Sequence, residues 1–528
     1  MRGLARLIYG TRLHRWLFAG GVPHMPKALP SQPPRGSAER GRAVLAGTTL
    51  PEHPDWQSPT LDAPMLAVLN GFGWLADLAA VGTPEARLRA RRLVHDWMEQ
   101  ERWHPIVWAP EVTGRRLIIA LETWAFLVEG ARGSLPGRWL AVLSRQARYL
   151  ARHLEEGADG LPRLEATAAL VLAALAGLGA VDAVAALERL QRELARQILP
   201  DGGHVARSPA GQVEAFALLL GLRDTLIAAG MPVPPRIEAA LERMAGMVRF
   251  FRHGDGRLAL FNGAGEGDGR VIDRMLQRAG RGTVAPDSAP DSGFERLARQ
   301  RTLVLFNTGA PPPQGLDGAA HAGQLAFELS HGRDRVVVNC GGAPTEGPDW
   351  TLAARATAAH STLTVDETNS AELRPSGGMV RRPRRLDSAR EEADGAILAF
   401  ASHDGYAPNF GLTHRRRLWL SADGSDFRGE DMLIGAHTGL FAVRFHLHPE
   451  VQASLIQNGD AALLRSRSGA AWRFHCAGGR LEIAESAYFG LATRQGPAAV
   501  RRCEQLVMSG PVIDGQPIKW AFRMLPRG

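Results

Sequence analysis

Lysine is almost missing from this chain. It occurs only at Lys27 and Lys519, although Lys and Arg together number 62. The net charge of +8 is therefore carried by arginine, whose planar fork of donors suits carboxylate, sulfate or phosphate. An anionic partner, such as an acidic polysaccharide, is one explanation of that bias. A GC-rich genome that favours Arg codons is the other. No dense basic cluster is interleaved with aromatics, which argues against nucleic acid as a partner. Cysteine is scarce too. Cys340, Cys476 and Cys503 are odd in number and unpaired in spacing, so neither a disulfide framework nor a CxxC metal knuckle is supported. Tyrosine occurs only at Tyr9, Tyr149, Tyr406 and Tyr488. No apolar run approaches the roughly 20 residues of a transmembrane helix, and no such segment is expected. The N-terminus is basic, but Arg6, Arg12, His14 and Arg15 interrupt its apolar residues. It reads as an amphipathic helix rather than a secretion signal.

What is present divides by period. A chain of 528 residues exceeds one ordinary core and suggests two or three domains. Residues 1–64 form an irregular, Pro-rich N-terminal segment containing the amphipathic helix. Over 65–285 the helical period predicts segments at 65–80, 84–101, 113–131, 136–156, 163–179, 182–198, 209–229 and 234–252, separated by Gly and Pro breakers. Leu140, Leu143, Ala147, Leu150 and Leu154 make one such stripe. Successive helical hairpins of this kind stack into a solenoid or close into a ring. A Gly- and Asp-rich stretch, 254–293, reads as a linker or a functional loop. From 295 to 528 short alternating runs predict an antiparallel β-sandwich. Helices followed by strands make a multidomain, α-then-β protein.

The organising stretch is His321–Ser370. Leu325, Phe327 and Leu329 alternate with Ala326 and Glu328, and a Val-rich run follows from Arg335 to Cys340. Gly332 and Asp334 between them predict a hairpin. Ser361–Val365 is a third run. His321 precedes the first run and His360 the third, so folding of the sheet could bring the two imidazoles together.

This stretch resembles the heparinase II/III superfamily of bacterial polysaccharide lyases. His321–Leu329 is similar to its His-x-Asp-x-(Leu)-Ser-Phe-Glu strand, Val336–Gly341 to its apolar strand ending in Asp or Asn then Gly, and Arg355–Val365 to its Arg-x-Thr-x-x-His-Asn-Thr-Leu strand. ILPDGGHVARSP at Ile198–Pro209, with Glu214, falls where that family has a turn lining its cleft. The resemblance implies an incomplete (α/α) toroid of helical hairpins followed by the β-sandwich. It also implies β-elimination on a uronate-containing anionic glycan. That chemistry neutralises the uronate carboxylate, removes the C5 proton and protonates the departing O4.

The resemblance places the family's toroid Tyr near Gly211 and Gln212, its Asn-His dipeptide on Pro162-Arg163, and the first His of its sandwich His-x-His on Ala319. The usual residues are thus replaced. The remaining candidates for proton transfer are His204, His321 and Tyr406. Arg207, Gln212, Glu214, His253 and His414 are the candidate substrate-binding residues. Ser208 and Pro209 open a helix beside His204 and Arg207, a position that favours anions. His321 and His360 match positions that hold a structural zinc in some family members, where Asn339 stands in place of the third, carboxylate ligand. No cofactor is required by the reading. Two functions follow: a carbon–oxygen lyase, or a catalytically degenerate glycan-binding protein of the cell envelope. By resemblance the location is the periplasm or envelope, and the missing export signal leaves the cytoplasm as the alternative.

Overall fold

The computed structural model describes residues 18–30, 36–131, 133–179, 181–280, 282–343, 347–490 and 500–526. The amphipathic helix expected at the N-terminus falls mostly outside them. The chain separates into two compact units, one of Met1–Gln197 with Ala215–Leu241, the other of Ile198–Glu214 with Glu242–Gly528.

The helices of the first part are α1 (Ala38–Leu45), α2 (Ala63–Asn70), α3 (Gly73–Val81), α4 (Pro84–Gln100), α5 (Pro110–Glu122), α6 (Trp124–Val128), α7 (Leu135–His153), α8 (Leu161–Leu175) and α9 (Ala183–Gln197), followed by α10 (Pro209–Ala228) and α11 (Pro235–Phe250). Their boundaries follow from local chemistry. Asp62 caps α2 by accepting from Met65 N at 2.8 Å, and Thr83 caps α4 at Ala86 N with Pro84 at its first position. Gly82 ends α3 in the left-handed conformation at φ 72°. The α7 stripe is buried as expected, with Leu140, Leu143, Ala147 and Leu150 at 0% exposure. Among the described residues no single helix is long and apolar enough to cross a membrane, although α2 and α3, bent by 43°, pass together by length and composition. Leu75 and Leu78 of that pair are core residues at 0% exposure.

The second unit is sheet-rich. One addition to the expected layout is α12 (Gly269–Ala279), inside the Gly- and Asp-rich stretch; Asp268 caps it by accepting from Arg270 N at 2.8 Å. The strands run β1 (Ser288–Ala289), β2 (Phe294–Arg299), β3 (Thr302–Asn307), β4 (Phe327–His331), β5 (Asp334–Val338), β6 (Leu363–Val365), β7 (Glu372–Leu373), β8 (Met379–Arg381), β9 (Leu386–Ala393) and β10 (Ala396–His403). Then come β11 (Thr413–Leu420), β12 (Asp426–Ile434), β13 (Leu440–Leu447), β14 (Val451–Ile456), β15 (Ala461–Ser466), β16 (Ala471–Ala477), β17 (Arg480–Tyr488), β18 (Arg501–Pro511) and β19 (Ile518–Met524). Helix α13 (Pro348–Arg355) lies between β5 and β6, and α14 (Ala407–Phe410) between β10 and β11.

Among the described residues two large antiparallel sheets result, beside the small two-stranded β7–β8. One has the order β1-β2-β3-β4-β5-β13-β18-β17, with β6 added on β13; the other is β14-β15-β16-β19-β12-β11-β10-β9. The expected hairpin is present as β4–β5, with a bulge between Leu329 and Ser330. The third run pairs with β13 instead of extending that hairpin. Phe327, Phe445 and Phe522 from the two sheets meet in one core with Trp520.

Candidate functional site

Two networks of buried polar groups stand in the sheet-rich unit, and among the sequence candidates they take up His253 and His414. The first centres on Glu328, the second residue of β4, whose side chain is wholly buried. A buried carboxylate must be fully hydrogen-bonded or it costs several kcal/mol. Glu328 accepts from Leu260 N at 2.9 Å, from Asn339 N and Nδ2 at 3.1 Å, and pairs with His253 Nε2 at 2.8 Å. His253 Nδ1 lies 2.8 Å from Ser330 Oγ. His253 is thus consumed by β4 and is 3% exposed. Burial, then the Arg335 charge, lowers its pKa.

Next to it stands a polar pocket of about 440 Å³ lined by Asp255, Arg257, Glu266, Arg335, His448 and Glu450, among others. Arg335 is clamped by Asp255 at 3.0 Å and by Leu258 O at 2.8 Å. Glu266 accepts from the Tyr488 hydroxyl and pairs with Arg257 and with His448, the latter at 3.4 Å. Burial alone would raise the Glu266 pKa; the His448 hydrogen bond and the Arg335 charge overcome this and hold it well below the usual carboxylate range. Every charge lining the buried side of this pocket already has a partner.

The second network lies inside the sandwich. Asp431 of β12 receives His414 Nε2 at 2.7 Å, Arg416 Nε at 2.7 Å, Arg416 Nη2 at 2.9 Å and Trp520 Nε1 at 2.9 Å. His414 Nδ1 lies 3.3 Å from His403 Nε2. Both His414 and Tyr406 are 0% exposed. The Tyr406 hydroxyl donates to Leu363 O at 2.7 Å, and burial pushes its pKa well up. The expectations for these two residues are therefore corrected. Neither Tyr406 as a proton-transfer group nor His414 as a substrate ligand can meet a sugar, because strand alternation turns His414 inward and Tyr406 packs among the core residues.

The turn at Ile198–Glu214 is local and tight. Ser208 opens α10, with Gly211 N at 3.5 Å from its Oγ. Gln212 closes the turn: its Oε1 accepts from His204 N at 2.6 Å, and its Nε2 donates to Gly202 O at 3.0 Å and Met244 O at 3.3 Å. Gln212 is thereby spent on backbone, at 1% exposure, and is corrected from substrate ligand to turn brace. His204 is 2% exposed, and its Nδ1 accepts from Ala206 N at 3.2 Å. Burial pushes its pKa down to about 4, which keeps it neutral at pH 7. Arg207 has φ 52° and donates to the carbonyls of Ala310 and, at 3.4 Å, Asp291. Its guanidinium braces the loops flanking β2 and β3, and burial lowers its pKa. Glu214 is exposed.

His321 and His360 do meet, as expected: His321 Nδ1 lies 3.1 Å from His360 Nε2. They stand in loops, brought together by turns rather than by a strand pair. His360 Nδ1 is 2.8 Å from Ala356 O, which makes that nitrogen the donor and leaves Nε2 to accept from His321. Zinc needs convergent lone pairs and a third ligand. Here one imidazole donates to the other. Asn339 is taken up by Ser361 N at 3.0 Å and by Glu328. Among the described residues no three His, Cys, Asp or Glu side chains could hold a metal ion. The pair does not fit a zinc site. It is a buried hydrogen bond between neutral rings, with the His360 pKa pushed down to about 4 by burial.

Sequence reasoning missed Glu328, Asp431 and Arg416 as organising residues. For Arg416 and Asp431 the signal was a charge at an inward position of an otherwise apolar alternation, as in HRRRLWL, whereas Glu328 lies on the face of β4 opposite the core residues Phe327 and Leu329 and gave no such signal. Four tryptophans of the helical part are core rather than exposed stacking faces: Trp56 and Trp108 are 1% exposed, Trp74 and Trp124 7%.

Residues 281–521 match the family model of the heparinase II/III-like C-terminal domain. The chain is 32% identical, over 97% of its length and 92% of the relative's, to FtsZ-localized protein C of Caulobacter vibrioides. Among solved structures it is similar to heparinase III, with a TM-score of 0.72 at 14% identity over 99% of this chain and 89% of that one. It is also similar to a mutant of heparan sulfate lyase HepC from Pedobacter heparinus, with a TM-score of 0.64 at 16% identity over 98% and 88%. At such identities these two likenesses establish the fold, a helical toroid followed by a β-sandwich. Taken with the matched domain and the full-length relative, they make this chain a member of the heparinase II/III family.

Proposed function

We propose that this chain is a member of the heparinase II/III family that does not carry out β-elimination and works by binding, localised with FtsZ as its Caulobacter relative is named to be. One observation carries the reading. All three described tyrosines, Tyr149, Tyr406 and Tyr488, are buried, at 6%, 0% and 0% exposure. A base or acid for elimination must come within hydrogen-bond reach of the sugar. The candidate histidines do not replace them. His204, His321 and His360 are buried, neutral at pH 7 and committed to neighbours within the fold. Arg207 and Gln212, which would neutralise a uronate, hold backbone carbonyls instead. The envelope location expected by resemblance gives way, in this reading, to wherever FtsZ is.

The test is co-sedimentation of the purified full chain with FtsZ polymers. The reading expects the chain in the pellet only when polymer is present. A chain left in the supernatant across a range of FtsZ concentrations would overturn the binding half of the proposal.

A further inference from the structure

The outer face of the β14–β9 sheet has no role in the family resemblance, and it carries an unusual arrangement of charge. Strand alternation puts Arg417 and Trp419 of β11, Arg428 and Glu430 of β12, Lys519, Ala521 and Arg523 of β19, and Arg473 and His475 of β16 on that face. Register aligns them in rows. Trp419 lies opposite Arg428, Arg428 opposite Ala521, and Ala521 opposite His475. The methyl of Ala521 is the low point between taller side chains, and a groove of about 440 Å³ opens over it.

The charges do not balance. Arg417 and Lys519 share Glu430, at 3.7 and 3.9 Å; Arg428 and Arg523 share Asp426, at 2.5 and 3.2 Å. Arg473 lies directly opposite Arg523 in the pairing register, and its Nε is buried without a hydrogen-bond partner. Like charges directly opposite on neighbouring strands destabilise a sheet. His475, between them and the groove floor, has its pKa lowered by burial and then by Arg473 and Arg523. The face is built to meet negative charge that the chain itself does not supply.

We infer that this groove binds an extended acidic peptide segment of a partner protein. Lys519 and Arg523 flank Ala521 by two residues on each side, roughly 13 Å apart at the strand rise of 3.3 Å per residue. An extended peptide repeats at the same rise, so carboxylates about four residues apart meet both cationic ends while the backbone crosses Ala521. Guanidinium forks take such carboxylates bidentately. A glycan fits less well, because the ring of Trp419 that would stack on a sugar is already covered by the Arg428 guanidinium at 4.9 Å. A lipid surface fits less well too, since none of the exposed large hydrophobic residues described lies on this groove.

The inference is independent of the proposed loss of elimination, because the groove contains none of the candidate catalytic residues. Its test is fluorescence anisotropy of the full chain with a short fluorescein-labelled peptide alternating Glu with Ala, and with its Gln counterpart. The expected result is binding of the Glu peptide alone, weakened by added salt. Arg428→Glu with Arg523→Glu should weaken it at least about tenfold. Ala521→Phe, which fills the floor and keeps every charge, should weaken it as well. Arg467→Glu, a reversal outside the groove, should leave it unchanged, with circular dichroism confirming the fold of each variant. Equal binding of the Gln peptide, no binding by the parent chain, or full affinity in both groove variants would overturn the inference. So would tighter groove-dependent binding of oligogalacturonate or of anionic phosphatidylglycerol vesicles than of the peptide.

Discussion

Asp431 shows how much of this fold rests on single buried charges. Burial alone would raise its pKa, but the Arg416 guanidinium and the His414 hydrogen bond hold it well below the carboxylate range. Arg416 in turn gives two further hydrogen bonds, to Leu325 O at 2.7 Å and Ser361 O at 2.9 Å, which tie the two sheets together. Removing the carboxylate leaves a fully buried guanidinium without its counter-ion. Asp431→Ala should therefore cost about 3–5 kcal/mol of stability, read as a lowered urea midpoint. A loss under about 1 kcal/mol would show that the network contributes little. The histidines give a second residue-scale expectation. Burial depresses His204 and His360 to about 4 and His446 to about 3. A histidine depressed on folding binds more protons when unfolded, so its contribution is fully present above the unfolded value, near 6.5, and is lost as pH falls towards the folded value. Stability should decline between about pH 6.5 and pH 4, by up to about 1.4 kcal/mol per pH unit for each such histidine. Urea midpoints that stay flat over that range would contradict the buried neutral assignment.

At the scale of elements, close packing decides against local propensity. Gly114 sits in the middle of α5, where Ala would ordinarily gain about 1 kcal/mol of helix stability. A Cβ added there would stand 2.6 Å from Ala166 Cα of α8. The obstruction is backbone, so the two helices must move apart. Gly114→Ala should lower stability by a net amount within about 1–3 kcal/mol, measured as the thermal midpoint; a raised midpoint would show that the crossing is loose. The helices themselves were legible from breakers and caps, because Thr83-Pro84 and Gly82 act within a few residues. α12 was not legible, because its glycine-rich flanks outweighed an 11-residue helical pattern. The hairpin β4–β5 was legible from Gly332 and the Val run. The pairing of β6 with β13 was not, since nothing local marks a partner 76 residues away at Val365 and Phe441. Tyr406 and His414 misled for the same reason. A loop sequence rich in His and Tyr reads as a surface site until the second sheet is placed against it.

At the scale of the whole molecule, the chain keeps the toroid-and-sandwich fold while its polar residues are turned to structural use. His204 and Gln212 brace a turn, His253 pairs with Glu328 of β4, and Arg416, held by Asp431 beside His414, joins the two sheets. The family was legible because its strand motifs are contiguous. The fate of the site was not, because burial and hydrogen-bond partners are set by distant segments. The most direct test of the account is the ultraviolet absorbance of the full chain incubated with heparan sulfate, hyaluronan, alginate and pectate. Elimination leaves a conjugated C4=C5 double bond that binding does not produce. The account predicts no rise with any of them. A rise with one substrate that disappears in His204→Ala would contradict it and return His204 to the catalytic machinery of a lyase.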